Sequence, residues 1–254
     1  MGLNQIDGVA VTAVCNRSET SSRKVADDFG IGHVETDWRA LIRRDDVDAV
    51  FIGTWPYMHR DMSITALEAG KHLFCLARMA INLDQAKQMV VAGDAHPDLV
   101  NMICPCPWLL EPYLRHVVQS GQLGRITSIE LNAVSGDNLD AAKLHWRERV
   151  EHSGKQVMAM GIFAETLNAL VGPYEQLCAH MATPIATKTD ASGRQVQIDV
   201  PQVVTITGRL ENGALAVEHH CGLAADQTSR MLCLIIRGLE GTVRYDFGNT
   251  IELA

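Results

Sequence analysis

Three consecutive polar residues, Asn16, Arg17 and Ser18, follow the apolar run of residues 8–15. In a nucleotide-binding sheet, an acidic residue at such a strand end usually accepts from ribose hydroxyls. An arginine with small polar neighbours suits a 2′-phosphate instead. The segment therefore predicts phosphate binding. It is equally compatible with a surface loop in which Ser18 caps the next helix.

A second candidate set, Thr54, Trp55, Tyr57 and His59, follows the apolar run of residues 47–52. The two aromatic rings could stack on a nicotinamide or adenine ring, and the histidine could hydrogen-bond within the first turn of a helix. Tyr57 and His59 are also candidates for proton transfer. The alternative is a rigid turn with a surface histidine.

Both sets lie at the ends of expected strands. Through residue 103, buried apolar runs alternate with helical segments, which predicts a Rossmann-like parallel sheet with right-handed crossovers over residues 1–103. Such sheets bind ligands at the carboxyl ends of their strands. The usual opening, a strand followed by a G-x-G-x-x-G turn and a helix, is not in the sequence. We expect either truncation, which is favoured, or a chain that does not hold a pyrophosphate in this way.

The second half of the sequence predicts a different architecture. Helical segments near residues 111–120 and within 154–171 accompany long strand-like runs, and Glu211-Asn212-Gly213 is a hairpin turn. Residues 104–254 therefore predict an α+β domain with an open, mostly antiparallel sheet and one helix layer. We expect a homo-oligomer formed through the open face of this sheet.

Composition narrows the classes of function. The chain has 254 residues, is 47% hydrophobic and has a formal net charge of −8, which argues against nucleic acid as a partner. No apolar run reaches the length of a membrane span, and the first residues do not resemble a signal peptide. Seven scattered cysteines without paired ligand spacing indicate reduced thiols in a cytoplasmic protein and predict no metal site.

Several motifs at fixed spacing resemble one known family. T-x-P-x-x-H from Thr54 to His59 is followed by A-L-E-A-G-K-H over residues 66–72, an apolar strand ending in Cys75, and A-x-N-L-x-x-A around Asn82. This order resembles the glucose–fructose oxidoreductase / inositol dehydrogenase / rhizopine-catabolism (Gfo/Idh/MocA) family over nearly the whole chain. The resemblance implies a Rossmann domain, an α+β domain, and NAD or NADP used to oxidise or reduce sugars or cyclitols.

The chain departs from this family at the positions that carry its chemistry. The resemblance places the catalytic lysine at Ala77, followed by Arg78, and the catalytic aspartate and histidine at Ala159 and Phe163. Arg78 could supply positive charge near the cofactor but not transfer protons, because a guanidinium stays protonated. Lys155 is the best remaining cation near a substrate. Glu165 points away from the face of Ala159 and Phe163, whereas Thr166 falls near that face.

Two tryptophans are candidate substrate contacts. Trp146 and Arg147 could hold a sugar ring or a carboxylate, since an aromatic face beside a guanidinium suits both. Trp108, which follows Pro105 and Pro107, opens the second domain near the expected crevice and is a candidate for the same role. Each tryptophan could instead pack on the core.

The leading prediction is an NAD(P)-dependent oxidoreductase, with NADP slightly favoured, that acts on a sugar-like alcohol or ketone. The first alternative is a non-catalytic protein of the same fold that binds a sugar or a nucleotide. The second is a fragment of an active enzyme.

Overall fold

The chain divides into two compact units, Met1–Cys104 (unit 1) and Pro105–Ala254 (unit 2). The computed structural model describes residues 2–105, 112–140, 144–155, 160–226, 230–246 and 250–254. None of the helices in these ranges is long and apolar enough to cross a membrane.

Unit 1 alternates strands and helices, as its sequence predicts. In chain order they are β1 (Ala13–Val14), α1 (Glu19–Phe29), β2 (His33–Val34), α2 (Trp38–Ile42), β3 (Ala49–Ile52), α3 (His59–Glu68), β4 (His72–Cys75), α4 (Leu83–Asp94) and β5 (Asn101–Ile103). All strand pairs are parallel, in one sheet of order β1–β2 and a second of order β3–β4–β5. The Rossmann-like prediction is therefore confirmed.

The division into two sheets follows from the strand order. In the doubly wound order 3-2-1-4-5-6, strand 1 separates strands 2 and 3 from strands 4, 5 and 6. The sheet β1–β2 corresponds to strands 2 and 3 of this order, and the sheet β3–β4–β5 corresponds to strands 4, 5 and 6. No described strand takes the place of strand 1. One consequence corrects the sequence prediction of a buried strand over residues 8–15. Of this run only Ala13 and Val14 pair, and Val9 is 43% exposed, because β2 is the only strand beside the run in the part of the chain that the structure describes.

Local signals set the ends of the helices in unit 1. Ser18 Oγ accepts from the Ser21 amide and so caps α1, and Gly30, at a φ of 67°, ends that helix in the left-handed conformation. Asn82 caps α4 in the same way, by accepting from Gln85 N. These caps fix the loops at the carboxyl ends of β1 and β4.

Unit 2 contains a large mixed sheet and its covering helices. In chain order the elements are α5 (Pro112–Gln119), β6 (Ile126–Val134), α6 (Val150–Ser153), α7 (Met160–Val171), β7 (Tyr174–Ala182), β8 (Thr187–Thr189), β9 (Gln195–Gln197), β10 (Val203–Leu210), β11 (Leu215–Cys221), β12 (Met231–Gly238), β13 (Thr242–Asp246) and β14 (Thr250–Leu253). Within the described ranges of unit 2, seven strands pair in the order β14–β13–β12–β6–β11–β10–β7, all antiparallel except β6 with β11. This confirms the predicted α+β architecture.

The sheet of unit 2 has one covered face. Leu114 of α5 and Leu167 of α7 pack with Leu131 and Ile236 of the sheet in one apolar core. Side chains alternate between faces along a strand, so residues 215 and 217 of β11 point to the other face, which we call the outer face. The helix layer thus leaves apolar side chains on the outer face exposed.

Candidate functional site

Arg17 and Trp55 meet at the carboxyl edge of unit 1. The Arg17 guanidinium carbon lies 4.6 Å from the centre of the Trp55 ring, within the range of a cation–π contact. Tyr57 lies beyond, with its ring centre 6.4 Å from that of Trp55 and tilted by 56°. The contact joins the residues that follow β1 to those that follow β3. The two sets that the sequence singles out are therefore neighbours.

The loop that carries Arg17 is held by its own polar residues. The amide of Asn16 donates to Ser22 Oγ at 2.8 Å, and its side chain donates to Ser21 O at 3.2 Å. The Ser18 side chain caps α1 by accepting from Ser21 N. Asn16 and Ser18 thus shape the loop, and the guanidinium of Arg17 is the charged group it presents.

His59 is buried and serves to connect two loops. Only 1% of its surface is exposed, and its ring nitrogens lie 2.7 Å from Arg78 O and 3.0 Å from Thr54 O. Carbonyl oxygens only accept, so at least one ring nitrogen of His59 donates, and the ring lies between the end of β3 and the loop after β4. This geometry favours a structural role for His59 over the proton transfer that the sequence also allows.

The loop after β4 places Arg78 beside His59. Arg78 is 8% exposed and follows a cis peptide bond with Ala77. Cys75, at the end of β4, is fully buried, and burial raises the pKa of its thiol to about 12. A thiol with such a pKa is inert at neutral pH. The positive charge of Arg78 is the chemically relevant feature of this loop.

The candidates around α7 separate into buried and exposed residues. Phe163 and Thr166 are buried, and the Thr166 hydroxyl donates to Ile162 O at 3.0 Å, so neither faces water. Glu165 and Lys155 are exposed, and partial desolvation raises the pKa of Glu165. Ala159 lies outside the described residues, as does Trp108. Of the described group, only Lys155 retains a cation accessible to a ligand.

A buried polar network under α7 was not predicted. Glu218 of β11 accepts from the Tyr174 hydroxyl at 2.6 Å and lies 2.9 Å from His220 Nε2. The His220 ring stacks on Phe163 with centres 5.8 Å apart. Burial, followed by the Glu218 carboxylate, raises the pKa of Tyr174, which therefore stays a neutral donor. Glu218 and His220, polar residues two apart on a face expected to be buried, are the signal that could have indicated the network.

The loop of Trp146 and Arg147 is braced by a buried ion pair. Arg147 stacks on the Trp146 ring at 4.2 Å. The next residue, Glu148, pairs with Lys188 at 2.8 Å, and both side chains are almost fully buried. Forty residues separate the partners, so no local pattern in the sequence indicates this pair.

The carboxyl edge of unit 1 fits two parts of a dinucleotide. Arg17 can bind a phosphate on the adenosine ribose, and Trp55 with Tyr57 can contact a planar ring. The third part, a glycine-rich turn that cradles the pyrophosphate, is not supplied by this sequence. In the described parts of the chain, no group of three or more histidine, cysteine or acidic side chains could hold a metal ion.

Comparison with known proteins assigns each unit to the same family. A model of the oxidoreductase family with an NAD-binding Rossmann fold matches residues 2–102. The model of the GFO/IDH/MocA C-terminal domain matches residues 113–244, about half of the chain.

Individual relatives agree with this match. Levoglucosan dehydrogenase of Pseudarthrobacter phenanthrenivorans is 26% identical over 252 residues, covering 89% of this chain and 62% of the relative. Inositol 2-dehydrogenase/D-chiro-inositol 3-dehydrogenase of Shouchella clausii is 37% identical over 93 residues, covering 36% and 27%. The chain thus spans less than two thirds of these relatives.

Solved structures share the fold. A levoglucosan dehydrogenase in complex with NADH and L-sorbose superimposes with a TM-score of 0.87 at 23% identity, covering 96% of this chain and 66% of that one. An oxidoreductase domain protein from Kribbella flavida has the same TM-score at 21% identity, covering 96% and 67%. With parallel βαβ units, a mixed open sheet and family models matching both units, the chain belongs to the GFO/IDH/MocA oxidoreductase family.

Proposed function

We propose that this chain is an NAD(P)-linked oxidoreductase that acts on a sugar, a cyclitol or a similar alcohol or ketone. The observation that carries the proposal is the contact of Arg17 with Trp55 at the carboxyl edge of unit 1. That edge is where open α/β sheets bind ligands, and these residue types suit a nucleotide. The family and the sugar and cyclitol dehydrogenases among its relatives support the reaction class.

The residues of the chain have distinct proposed roles. Arg17 binds the ribose phosphate of NADP, while Trp55 and Tyr57 contact a ring of the cofactor. When bound, the cofactor supplies hydride transfer at C4 of its nicotinamide. Arg78 contributes positive charge, and Tyr57, Lys155 or a water molecule carries the proton. Without a positioned acid or base, the rate falls by about 10²–10⁴ relative to an enzyme that has one.

The preference for NADP is tested by replacing Arg17 with alanine. We expect NADPH binding to weaken about tenfold or more and NADH binding to change little, because only NADPH has the 2′-phosphate. Titration of cofactor fluorescence measures both affinities. Arg23→Ala is the matched control, since Arg23 is exposed on α1 and pairs with Glu19. Equal losses for both cofactors would contradict the NADP assignment, and no binding of either at millimolar concentration would contradict the function.

A second candidate function is non-catalytic binding of a nucleotide or sugar. Phe163 at the histidine position is buried, and Arg78 follows the lysine position with only 8% of its surface exposed. These observations favour a chain that binds without turnover. Assays of NAD(P) reduction with levoglucosan and inositols distinguish the two functions, since binding without cofactor reduction would support this alternative.

A third candidate is a fragment of an active enzyme. The two separate parallel sheets of unit 1 support it, because a strand between β1 and β3 would join them. Fusing a strand, glycine-rich turn and helix to the first residue tests it. A large gain in NADH affinity over the unfused chain would support the fragment hypothesis, and an unchanged affinity would count against it.

We also propose that the chain forms a homo-oligomer through the outer face of unit 2. Leu215, Val217 and Met231 are apolar, exposed and on that face by register. Leu215 and Val217 are neighbours on β11, whereas Met231 lies opposite Val134 towards the other end of the strands. Exposed apolar side chains on one sheet face can pair with a second copy about a twofold axis.

A further inference from the structure

The loop of residues 145–148 is rigid because its last residue is tied down by several buried bonds. Glu148 Oε1 lies 2.8 Å from Lys188 Nζ and accepts from Asn138 Nδ2 at 3.0 Å, and Oε2 accepts from His145 N at 3.0 Å. Lys188 Nζ also donates to Asn138 O at 2.8 Å. A network in which the buried charges are both paired and hydrogen-bonded holds one geometry. The residues before Glu148 are therefore presented in a fixed position.

Within this loop, Trp146 supports Arg147. The guanidinium carbon lies 4.2 Å from the centre of the indole, and the His145 ring lies 5.5 Å from the same indole with a tilt of 36°. The tryptophan thus contacts its own neighbours in the loop. Of the two ligand types that an aromatic–guanidinium pair suits, this geometry disfavours a sugar ring stacked on the indole and favours an anion on the guanidinium.

Arg147 is one of the arginines of unit 2 that form no ion pair in the described part of the chain, as are Arg115, Arg125 and Arg230. Among the described residues, no carboxylate lies within 4.0 Å of its guanidinium. Five others each have one, namely Arg149, Arg194, Arg209, Arg237 and Arg244. Burial lowers the pKa of Arg147, with Asp137 acting in the opposite direction. Arg147 is nevertheless exposed, so its guanidinium is accessible to an anion from solvent.

We propose that Arg147 binds the carboxylate of the substrate, so that the chain takes a sugar acid rather than a neutral sugar or cyclitol. The planar guanidinium matches a carboxylate with two parallel hydrogen bonds, and stacking on Trp146 sets its orientation before the ligand arrives. That the ligand is a sugar rests on the proposed function. The binding of a carboxylate rests on the loop alone.

The test compares how tightly the whole chain binds sugar acids and their neutral counterparts. The pairs are D-glucuronate with D-glucose, D-galacturonate with D-galactose, and D-gluconate with D-glucitol. Calorimetry or ligand-observed NMR measures the affinities. At least one acid should bind about tenfold or more tighter than its neutral counterpart, and added NaCl should weaken only the acid. Arg147→Ala should remove the preference. Arg147→Lys should retain part of it, because lysine keeps the charge but loses the paired hydrogen bonds.

Arg149→Ala is the matched control, since it removes the same charge from a residue that pairs with Glu151 two positions away. It should leave the preference intact. The proposal is overturned if no acid binds tighter than its counterpart, or if Arg147→Ala still discriminates. NADH binding, measured on the same samples, reports separately on the proposed function. Its failure would remove that function and leave carboxylate binding untouched.

Discussion

Phe163 packs in the apolar core of unit 2. It stands where the family resemblance places a catalytic histidine, yet its ring is buried and stacks on His220 beneath α7. His220 is itself held by Glu218, which also accepts from Tyr174. The side chains around position 163 therefore form a packed layer in which Glu218 contacts both Tyr174 and His220, while His220 Nδ1 has no hydrogen-bond partner among the described residues.

We therefore expect Phe163→Ala to destabilise the chain by about 3–5 kcal/mol, since it removes a buried aromatic ring and leaves a cavity beside His220. The free energy of unfolding from urea denaturation measures the loss. Phe163→Leu, which keeps most of the apolar volume, should cost clearly less. If both variants were as stable as the original, Phe163 would be accessible rather than packed, and a role facing the substrate would have to be reconsidered.

The sequence is sufficient to identify Arg17 and Trp55 as candidate site residues. Both follow apolar strand-like runs, and the rule that ligands bind at strand ends is enough to choose them. Their contact depends on how β1 and β3 are arranged, which the sequence predicts only through the fold. The buried position of His59 was missed because a histidine early in a helix fits a surface turn as well as a buried connection.

The ends of a helix can be predicted from the sequence where the capping residues are clear. Ser18 and Gly30 predict the two ends of α1 correctly, because a cap and a left-handed glycine depend on a few neighbouring residues. The strand-like runs of the sequence do not include residues 174–182, which form β7. This is an edge strand whose residues are almost all exposed, so it lacks the buried alternation that predicts a strand.

Glu148 and Lys188 form a buried ion pair between two distant segments, and no local sequence pattern predicts it. Lys188→Met should destabilise unit 2 by about 3–5 kcal/mol, because it leaves Glu148 charged and unpaired in a buried place. Urea denaturation measures this loss. The double variant with Glu148→Leu should recover part of the stability, since no buried charge remains.

Arg209→Ala is the control for this pair, because Arg209 forms an exposed ion pair with Glu175. It should cost less than about 1 kcal/mol. Equal losses for Lys188→Met and Arg209→Ala would show that the buried pair does not hold the loop of Arg147 in place.

At the scale of the whole molecule, the charge of the chain opposes its proposed ligands. A formal charge of −8 repels phosphates and carboxylates at a distance. Screening limits this repulsion to about 8 Å at physiological ionic strength, so single cations held close to a ligand can outweigh it. Arg17 on Trp55 and Arg147 on Trp146 share this arrangement, in which an indole orients a guanidinium within an acidic protein.

The last prediction concerns self-association of the chain through the outer face of unit 2. Leu215 and Val217 are 60% and 45% exposed in neighbouring outward positions of β11, a strand inside the sheet rather than at its edge. Val217→Lys would place an ammonium in a self-paired interface, and burying an unpaired charge is costly. We expect the dissociation constant of the oligomer to rise about tenfold or more, as measured by light scattering after gel filtration.

Leu83→Lys is the control for this variant, since Leu83 belongs to unit 1 and is 67% exposed, so the same charge is introduced without changing a residue of the outer face. It should leave the oligomer unchanged, and circular dichroism should show both variants folded. A wild-type chain that is monomeric at micromolar concentration, or a Val217→Lys variant that assembles as before, would mean that the outer face is not the interface. The exposed apolar residues of β11 would then have to be explained without a second copy of the chain.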